Sequence, residues 1–374
     1  MRIGIDAHIL GKGKGGVEVY LKSVLKKLPS LDARNDYSVY LNNGVAPQSL
    51  GIQNKNFCLK GLMFSSPWLR RSMSLPLAAM RDKLDVLHVQ RVLPLFFPAE
   101  KSVVSIYDIA QEIHPEFFDA KDSLIVRQLI KSSAERARRI ITCSYTSKAD
   151  MVAYYHIPPE RIIVAYPAVE NFDEPQGNDD EAGIFLKEKN IRGPFLLFVG
   201  AVEPRKNLHG VIDIMNSLKK RSLFSGQVVI LGGFREGIKK DYYPMLKTKV
   251  KDLGLEDDVV FLGYEPESVK KMLMKKAVAL LYPSFYEGFG IPILEAMAAG
   301  IPVVVSRIPV FSEIVLESGL YADPHDCEDF ANQVDRLLRD KSLFAHLVEK
   351  GKERVQQFHW VEAAKKHLQA YEAC

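Results

Sequence analysis

Glu287 and Glu295 stand on either side of a glycine-rich turn in the stretch FYEGFGIPILEAMAAGIPVVVS at 285–306. Carboxylate oxygens accept hydrogen bonds only, so two of them near one turn suit the hydroxyls of a polyol. Pro292 at a first helical position, good helix formers from Leu294 to Ala299 and Gly300 as a stop signal predict a short helix, and IPVVV after it reads as a buried strand. The start of a helix presents backbone N–H groups and a positive dipole end, so Gly288, Phe289 and Gly290 are expected to face an anion. Glu295, inside the helix, would then offer its oxygens to a diol such as ribose, and Glu287 at the loop entrance to a sugar hydroxyl. By spacing alone the two glutamates read as solvated charges around an ordinary turn. Their neighbours Phe285, Phe289, Ile291 and Ile293 shift the balance, because charges in apolar surroundings require partners.

A second segment, FVGAVEPRKNL at 198–208, follows the apolar run FLLFV, which ends at Gly200, with a short loop carrying Arg205 and Lys206. In open parallel α/β sheets ligands bind beyond the carboxyl ends of the strands, where this basic pair would lie. Arg205 can grip phosphate oxygens in bidentate fashion and Lys206 acts as a compact point charge, so the pair suits a diphosphate. The plainer alternative is an exposed basic pair at a helix start.

Together these segments resemble the retaining glycosyltransferases of family 4, and the resemblance spans nearly the whole chain. Further matching pieces are Gly15 and Gly16 after the first strand, SIYDIAQEIHPEFF at 105–118, CSYTSKAD at 143–150, AYPAVE at 165–170, and Trp360. The resemblance implies an α/β chain of the GT-B fold, two Rossmann-like domains whose parallel sheets face a central cleft. It implies that Arg205 and Lys206 contact the diphosphate of a nucleotide-sugar donor, with Glu295 on the ribose and Glu287, Gly288, Phe289 and Gly290 on the transferred sugar. Gly200 and Gly16 would lie against the donor, and Gly15, Tyr107 and Asp108 on the acceptor side, with Arg205, Lys206, Glu287, Tyr107 and Asp108 as the catalytic set. Glycine at 15 and 16 would let the chain approach donor phosphate or acceptor with no Cβ in the way, although a plain loop explains the pair as well.

One departure stands out. Many family members carry His-Asp where this chain has Tyr107 and Asp108. A tyrosine hydrogen-bonds a sugar hydroxyl but carries protons poorly near neutral pH, its ordinary pKa being about 10. His114, seven residues on, is the nearest imidazole that could be recruited, and Asp108 either orients the acceptor or caps a turn. In this family the leaving phosphate is thought to help deprotonate the acceptor hydroxyl, so the resemblance asks for no protein base. The expected task is to position two substrates and stabilise charge.

No cofactor or metal is required on this reading. The chain has no Asp-x-Asp motif and no close His/Cys cluster with zinc spacing, and Arg205 and Lys206 could stand in for a cation. Cys58, Cys143, Cys327 and Cys374 are scattered, which favours reduced thiols in the cytoplasm.

The elements that must position these residues follow from periodicity. In a chain of 374 residues with 47% hydrophobic and 26% charged content there is room for two globular domains. Strand-like runs RIGIDA, YSVYL, DVLHV, SVVSIY and RIITCS alternate with helical stretches in a first, acceptor-binding domain over 1–170. Residues 171–190, opening with Pro, Gly, Asn and acidic residues, read as a linker, and the alternation resumes over 191–355 in a nucleotide-sugar domain. The end, 356–374, reads as a helix crossing back to the first domain, with Phe358, Val361, Ala364 and Leu368 on one face.

No run is long and apolar enough to span a bilayer, and the first residues read as a strand, so the chain is expected in the cytoplasm. Two mixed basic and apolar stretches, 61–83 and 124–140, have two readings: solvated helix faces, or a surface for an anionic membrane carried by Trp68, Arg70, Arg71, Arg138 and Arg139. The second reading implies a lipid-linked acceptor; otherwise the acceptor is a saccharide. A net charge of +4 gives no case for nucleic acid. The form EPRKNL resembles members that use GDP-mannose, which favours a mannose-like hexose for surface polysaccharide assembly. Two rivals stay open: a sugar-nucleotide isomerase of the same architecture, and a relative that binds without catalysis.

Overall fold

Runs rich in Val, Ile, Leu and aromatics, bounded by turn residues, form thirteen strands in the computed structural model, which describes residues 1–11, 15–42, 50–64, 66–95, 97–170, 179–233 and 242–374. The first seven are β1 (Arg2–Asp6), β2 (Asp36–Leu41), β3 (Phe57–Gly61), β4 (Val86–Gln90), β5 (Ser102–Ser105), β6 (Arg139–Thr142) and β7 (Ile162–Val164). They make one parallel sheet in the order β3-β2-β1-β4-β5-β6-β7. The next six are β8 (Phe195–Val199), β9 (Gln227–Leu231), β10 (Val259–Gly263), β11 (Ala279–Tyr282), β12 (Val303–Ser306) and β13 (Leu320–Ala322). These form a second parallel sheet in the order β10-β9-β8-β11-β12-β13. Every residue of β4, β8 and β9 is buried, as expected of strands covered by helices on both faces.

The chain divides into two compact units. The first comprises Met1–Ile113, Lys121–Pro167 and His359–Cys374, and the second His114–Ala120 and Ala168–Phe358. Each sheet reverses its direction of growth once, between β1 and β4 in the first unit and between β8 and β11 in the second, and ligands favour the carboxyl ends of strands at such points.

Strands β3, β7 and β13 were not legible as runs, being short and partly exposed. Of the stretch 171–190 read as a linker, 171–178 lie outside the described residues, and Asp179–Glu188 form a helix grouped with the second unit. The helix Trp360–Glu372 is grouped with the first unit, but its buried face is Trp360, Ala363, Ala364, His367, Ala370 and Tyr371. Of the expected Phe358, Val361, Ala364 and Leu368, Ala364 lies on that face and Phe358 is buried just before the helix, while Val361 and Leu368 are only half-buried. Apolar periodicity rotated the face in part because a histidine and a tyrosine point inward.

Candidate functional site

Two strand ends build a dense polar cluster in the second unit. After β8 the chain passes Gly200 and makes a short 3-10 turn at Pro204–Lys206; after β11 it runs through Pro283 and Ser284 to Glu287. The two loops are tied by the Phe285 N–H donating to the Arg205 carbonyl at 2.9 Å. Asn207, with a left-handed φ of 57°, closes the basic loop. Its side chain accepts from the Gly210 N–H at the start of helix Leu208–Lys220 and donates to the carbonyls of Pro283 (3.1 Å) and Pro324 (2.8 Å). The position of the basic pair is thus fixed by backbone contacts.

Within this frame the side chains pair. Lys206 Nζ bonds Glu287 Oε1 and donates to the Tyr282 hydroxyl at 2.7 Å. Arg205 reaches Glu287 Oε2 at 2.7 Å, the Tyr286 carbonyl at 3.1 Å and Glu203 Oε1 at 2.6 Å. The Ser284 hydroxyl adds a 3.1 Å bond to Glu287 Oε1. Burial alone would push the Glu287 carboxyl up, but the charges and hydrogen bonds of Arg205 and Lys206 prevail and bring its pKa down to about 2. Burial pulls the Lys206 ammonium down, against the opposing pull of Glu287. Two cations and two carboxylates balance, so the cluster of Arg205, Lys206, Glu203 and Glu287 is neutral as it stands.

The glycines do separate jobs. Gly290, at φ 107°, caps the helix Ile291–Ala299, and Gly300 ends that helix in the left-handed region, as the sequence indicates. A Cβ on Gly200 would press on the Phe198 ring at 3.3 Å and touch the Lys206 stem at 3.5 Å, whereas one on Gly232 would lie 1.9 Å from the Gly200 carbonyl oxygen. The close approach of the β8 and β9 ends therefore depends on Gly232, a residue the motif reading left out. Phe289 is buried and packs edge-on against Phe358 at 5.8 Å.

Glu295, also buried, is not part of the Glu287 cluster's bonds. Its Oε1 accepts from Lys270 Nζ at 2.6 Å, and Lys270 in turn pairs with Glu267 at 2.9 Å. Burial raises the Glu295 pKa despite the lysine. Both glutamates of the 285–306 segment have thus found the cations that their apolar surroundings demand.

The acceptor-side candidates lie in the first unit. Gly15 precedes helix Gly16–Leu31 with φ 63° and ψ −140°, a conformation reserved for glycine, and both Gly15 and Gly16 are exposed. The Tyr107 hydroxyl donates to Gln90 Oε1 at 2.8 Å, its ring stands edge-on to Tyr20 at 5.1 Å, and burial drives its pKa well up. Asp108 accepts from the Ala110 N–H at 3.1 Å and so caps a short helical turn. His114 belongs instead to the second unit, with Nδ1 3.0 Å from Glu116 and its ring 5.5 Å from that of Tyr286, next to Glu287.

The proposed membrane group does not survive as one surface. Arg70 is buried and pairs with Asp6, the last residue of β1, whereas Arg139 is the first residue of β6 and Arg138 precedes it. In a parallel sheet these are opposite edges. Trp68 and Arg71 remain together, the guanidinium 6.0 Å from the ring centroid, amid exposed Met63, Leu69, Met73, Leu77 and Met80. Among the described residues no helix is long and apolar enough to cross a membrane.

Comparison with known proteins matches residues 14–171 to the model described as Glycosyltransferase Family 4, and residues 181–354 to that described as Glycosyl transferases group 1. The O-antigen chain mannosyltransferase RfbU of Salmonella typhimurium is 30% identical over 348 residues, which cover 89% of this chain and 90% of that one. The O-antigen chain mannosyltransferase B of Escherichia coli is 29% identical over 293 residues, covering 78% and 76% respectively. In fold the chain is similar to a sucrose-phosphate synthase from Thermosynechococcus elongatus, with a TM-score of 0.77 at 20% identity, covering 100% of this chain and 98% of the other.

Proposed function

The chain belongs to the glycosyltransferases of family 4, group 1, with the two parallel-sheet α/β units of the GT-B fold, and on that premise we propose that it is a retaining, metal-independent hexosyltransferase. It moves a mannose-like hexose from a nucleotide-diphosphate sugar to a hydroxyl of a saccharide or lipid-linked saccharide during surface polysaccharide assembly. The observation that carries this reading is the buried Arg205–Glu287–Lys206 cluster at the carboxyl ends of β8 and β11.

A neutral cluster is poised to exchange partners. With the donor bound, diphosphate oxygens take hydrogen bonds from Arg205 and Lys206, and Glu287 turns to a hydroxyl of the hexose beside them. Until then Glu287 holds both cations in place, so little reorganisation is needed when charge builds on the departing diphosphate. That Lys206 is already buried and Arg205 largely so, both of them oriented, supports transfer without a metal cofactor. Glu295 takes the ribose, and Gly16 and Gly200 leave room for the donor. The leaving phosphate receives the acceptor proton, in keeping with a Tyr107 hydroxyl already given to Gln90 and with Asp108 serving as the positioning group. Mannose and polysaccharide assembly are supported by the two O-antigen chain mannosyltransferases to which this chain is similar. A lipid-linked acceptor would meet the exposed apolar face around Trp68 and Arg71.

The test is to incubate the protein with a panel of nucleotide sugars, with and without saccharide acceptors, and to read nucleoside diphosphate release and product anomer. Acceptor-dependent release with the donor's anomeric configuration is expected. Epimer formed from donor alone would replace transfer by isomerisation, and tight donor binding with neither product would leave a binding protein. For the lipid arm, Trp68→Ser is expected to weaken sedimentation with anionic vesicles; equal sedimentation of both proteins would remove that surface.

A further inference from the structure

Lys270 stands outside every motif so far described, yet it holds one of the two motif glutamates. It lies on helix Glu267–Lys276, and its ammonium bridges the Glu295 carboxylate on helix Ile291–Ala299 and the Glu267 carboxylate on its own helix. The inner pair is dry: the side chains of Lys270 and Glu295 are 14% and 10% exposed, against 59% for Glu267. Around Glu295 the helix contributes only Ile293, Leu294, Ala296 and Met297, all buried and apolar. Lys271 and Glu267 are the other charges that act on it.

A carboxyl group in such surroundings has two options. With a cation beside it, it stays ionised and offers two acceptor oxygens; without one it takes up a proton, and one oxygen becomes a donor. A vicinal diol presents two hydroxyl donors and is best received by the ionised form. We propose that Lys270 is a positioning residue for the nucleotide: by engaging Oε1 it keeps Glu295 in the acceptor form and in the rotamer that a ribose diol requires. Glu267 completes the arrangement from the solvent side by accepting from a second N–H of the ammonium, which turns Lys270 toward its partner. This inference rests on the reading that the second unit binds a nucleotide sugar.

The burial that raises the Glu295 pKa in the intact protein is opposed only by the weaker pull of Lys271 once Lys270 is removed. The sign follows: in Lys270→Met the carboxyl holds its proton to higher pH, so nucleotide affinity falls first at the acid end of the range and recovers as pH rises. The experiment uses the full chain and UDP and GDP as probes, with binding measured by calorimetry from mildly acidic to mildly alkaline pH and turnover in parallel. Lys270→Met is expected to weaken nucleotide binding and raise donor KM by about ten- to a hundredfold, with kcat nearly kept. Lys270→Arg, which keeps the charge, is expected to restore both affinity and pH profile, and in a Glu295→Gln background the methionine substitution should cost little, because no carboxylate remains to be held. Wild-type affinity and pH profile in a folded Lys270→Met protein would overturn the proposal, as would a loss of the same size in the Glu295→Gln background. Should Lys270→Met not fold, Lys270→Arg against Lys270→Gln gives the same decision. Failure of the unaltered protein to bind either nucleotide would instead retire the donor reading on which the inference stands.

Discussion

The two units offer the same piece of architecture, the carboxyl edge of a parallel sheet at its switch point, and use it differently. In the second unit that edge carries Arg205, Lys206 and Glu287, charged groups held by other charged groups and by a backbone lashed through Asn207 and Phe285. In the first unit the corresponding edge ends β1 in one buried Asp6–Arg70 ion pair, with His8 beside it, and is otherwise a neutral polar core. Tyr107 bonds Gln90, Tyr20 bonds the Ala165 carbonyl and packs on Trp360, and His88 bonds Ser105 and Tyr371. Family position nominates residues on both edges, but the contacts distinguish them. A side chain whose polar atom is consumed by a buried neighbour supports the fold, whereas ion pairs that sum to zero can be re-partnered by an incoming anion.

The largest test of that contrast is Lys206→Ala. It removes a charge from the site and is expected to lower kcat by the equivalent of about 2.7–4 kcal/mol, as loss of a charge-stabilising donor does elsewhere. Circular dichroism should show a folded protein, since Arg205 still pairs with Glu287. Turnover within a few-fold of the unaltered enzyme would remove Lys206 from the chemistry and make its edge as structural as the other.

Acid separates the units by a different route. His367 is fully buried in the first unit and burial drives its pKa down to about 4 from an ordinary 6.5, so the folded state refuses a proton that the unfolded chain accepts. Its contribution is complete above pH 6.5 and falls away toward pH 4, about 3 kcal/mol in all. Glu287 works lower, its contribution present above pH 4.5 and lost as pH falls toward 2. Denaturant unfolding against pH should show the first loss before the second, and His367→Phe should reduce only the first, with buried His88, also pulled well below 6.5, carrying what remains. An unchanged slope between pH 6.5 and 4 in that variant would mean that another group governs acid lability.

How much of this was legible without coordinates follows the same division. The Arg205, Lys206 and Glu287 cluster was readable because each member sits at a fixed offset from an apolar strand and a glycine turn, and parallel topology then forces those loops to one edge. Glu203 was missed although it lies two residues before Arg205; an acidic residue beside a basic pair is itself a sign that the pair is partly neutralised. Lys270 had no such sign. Among Lys270, Lys271, Lys275 and Lys276, spacing does not reveal which one faces Glu295, because that is set by how two helices pack over β8, β11 and β12. The first unit's polar core was illegible for a related reason: His88, His367 and Tyr371 occupy positions that apolar periodicity assigns to hydrophobic residues, and their partners are far away in sequence.

Tyr107→Phe supplies the smallest effect and the finest discrimination. It deletes one oxygen and keeps the ring against Tyr20, so the change falls on the 2.8 Å bond to Gln90 and the neighbouring Ser105 hydroxyl. If that bond is part of the core, the variant loses about 1 kcal/mol of stability, and kcat and acceptor KM barely move. A hydroxyl that touched the acceptor would give the opposite split, with stability nearly unchanged and acceptor KM or kcat altered several-fold. The pH dependence adds a second check. With burial raising its pKa, Tyr107 stays protonated throughout the working range, so phenylalanine should leave the alkaline limb of the rate profile where it is. A lost or displaced alkaline limb would place Tyr107 among the reacting groups, and the two sheet edges would then be alike.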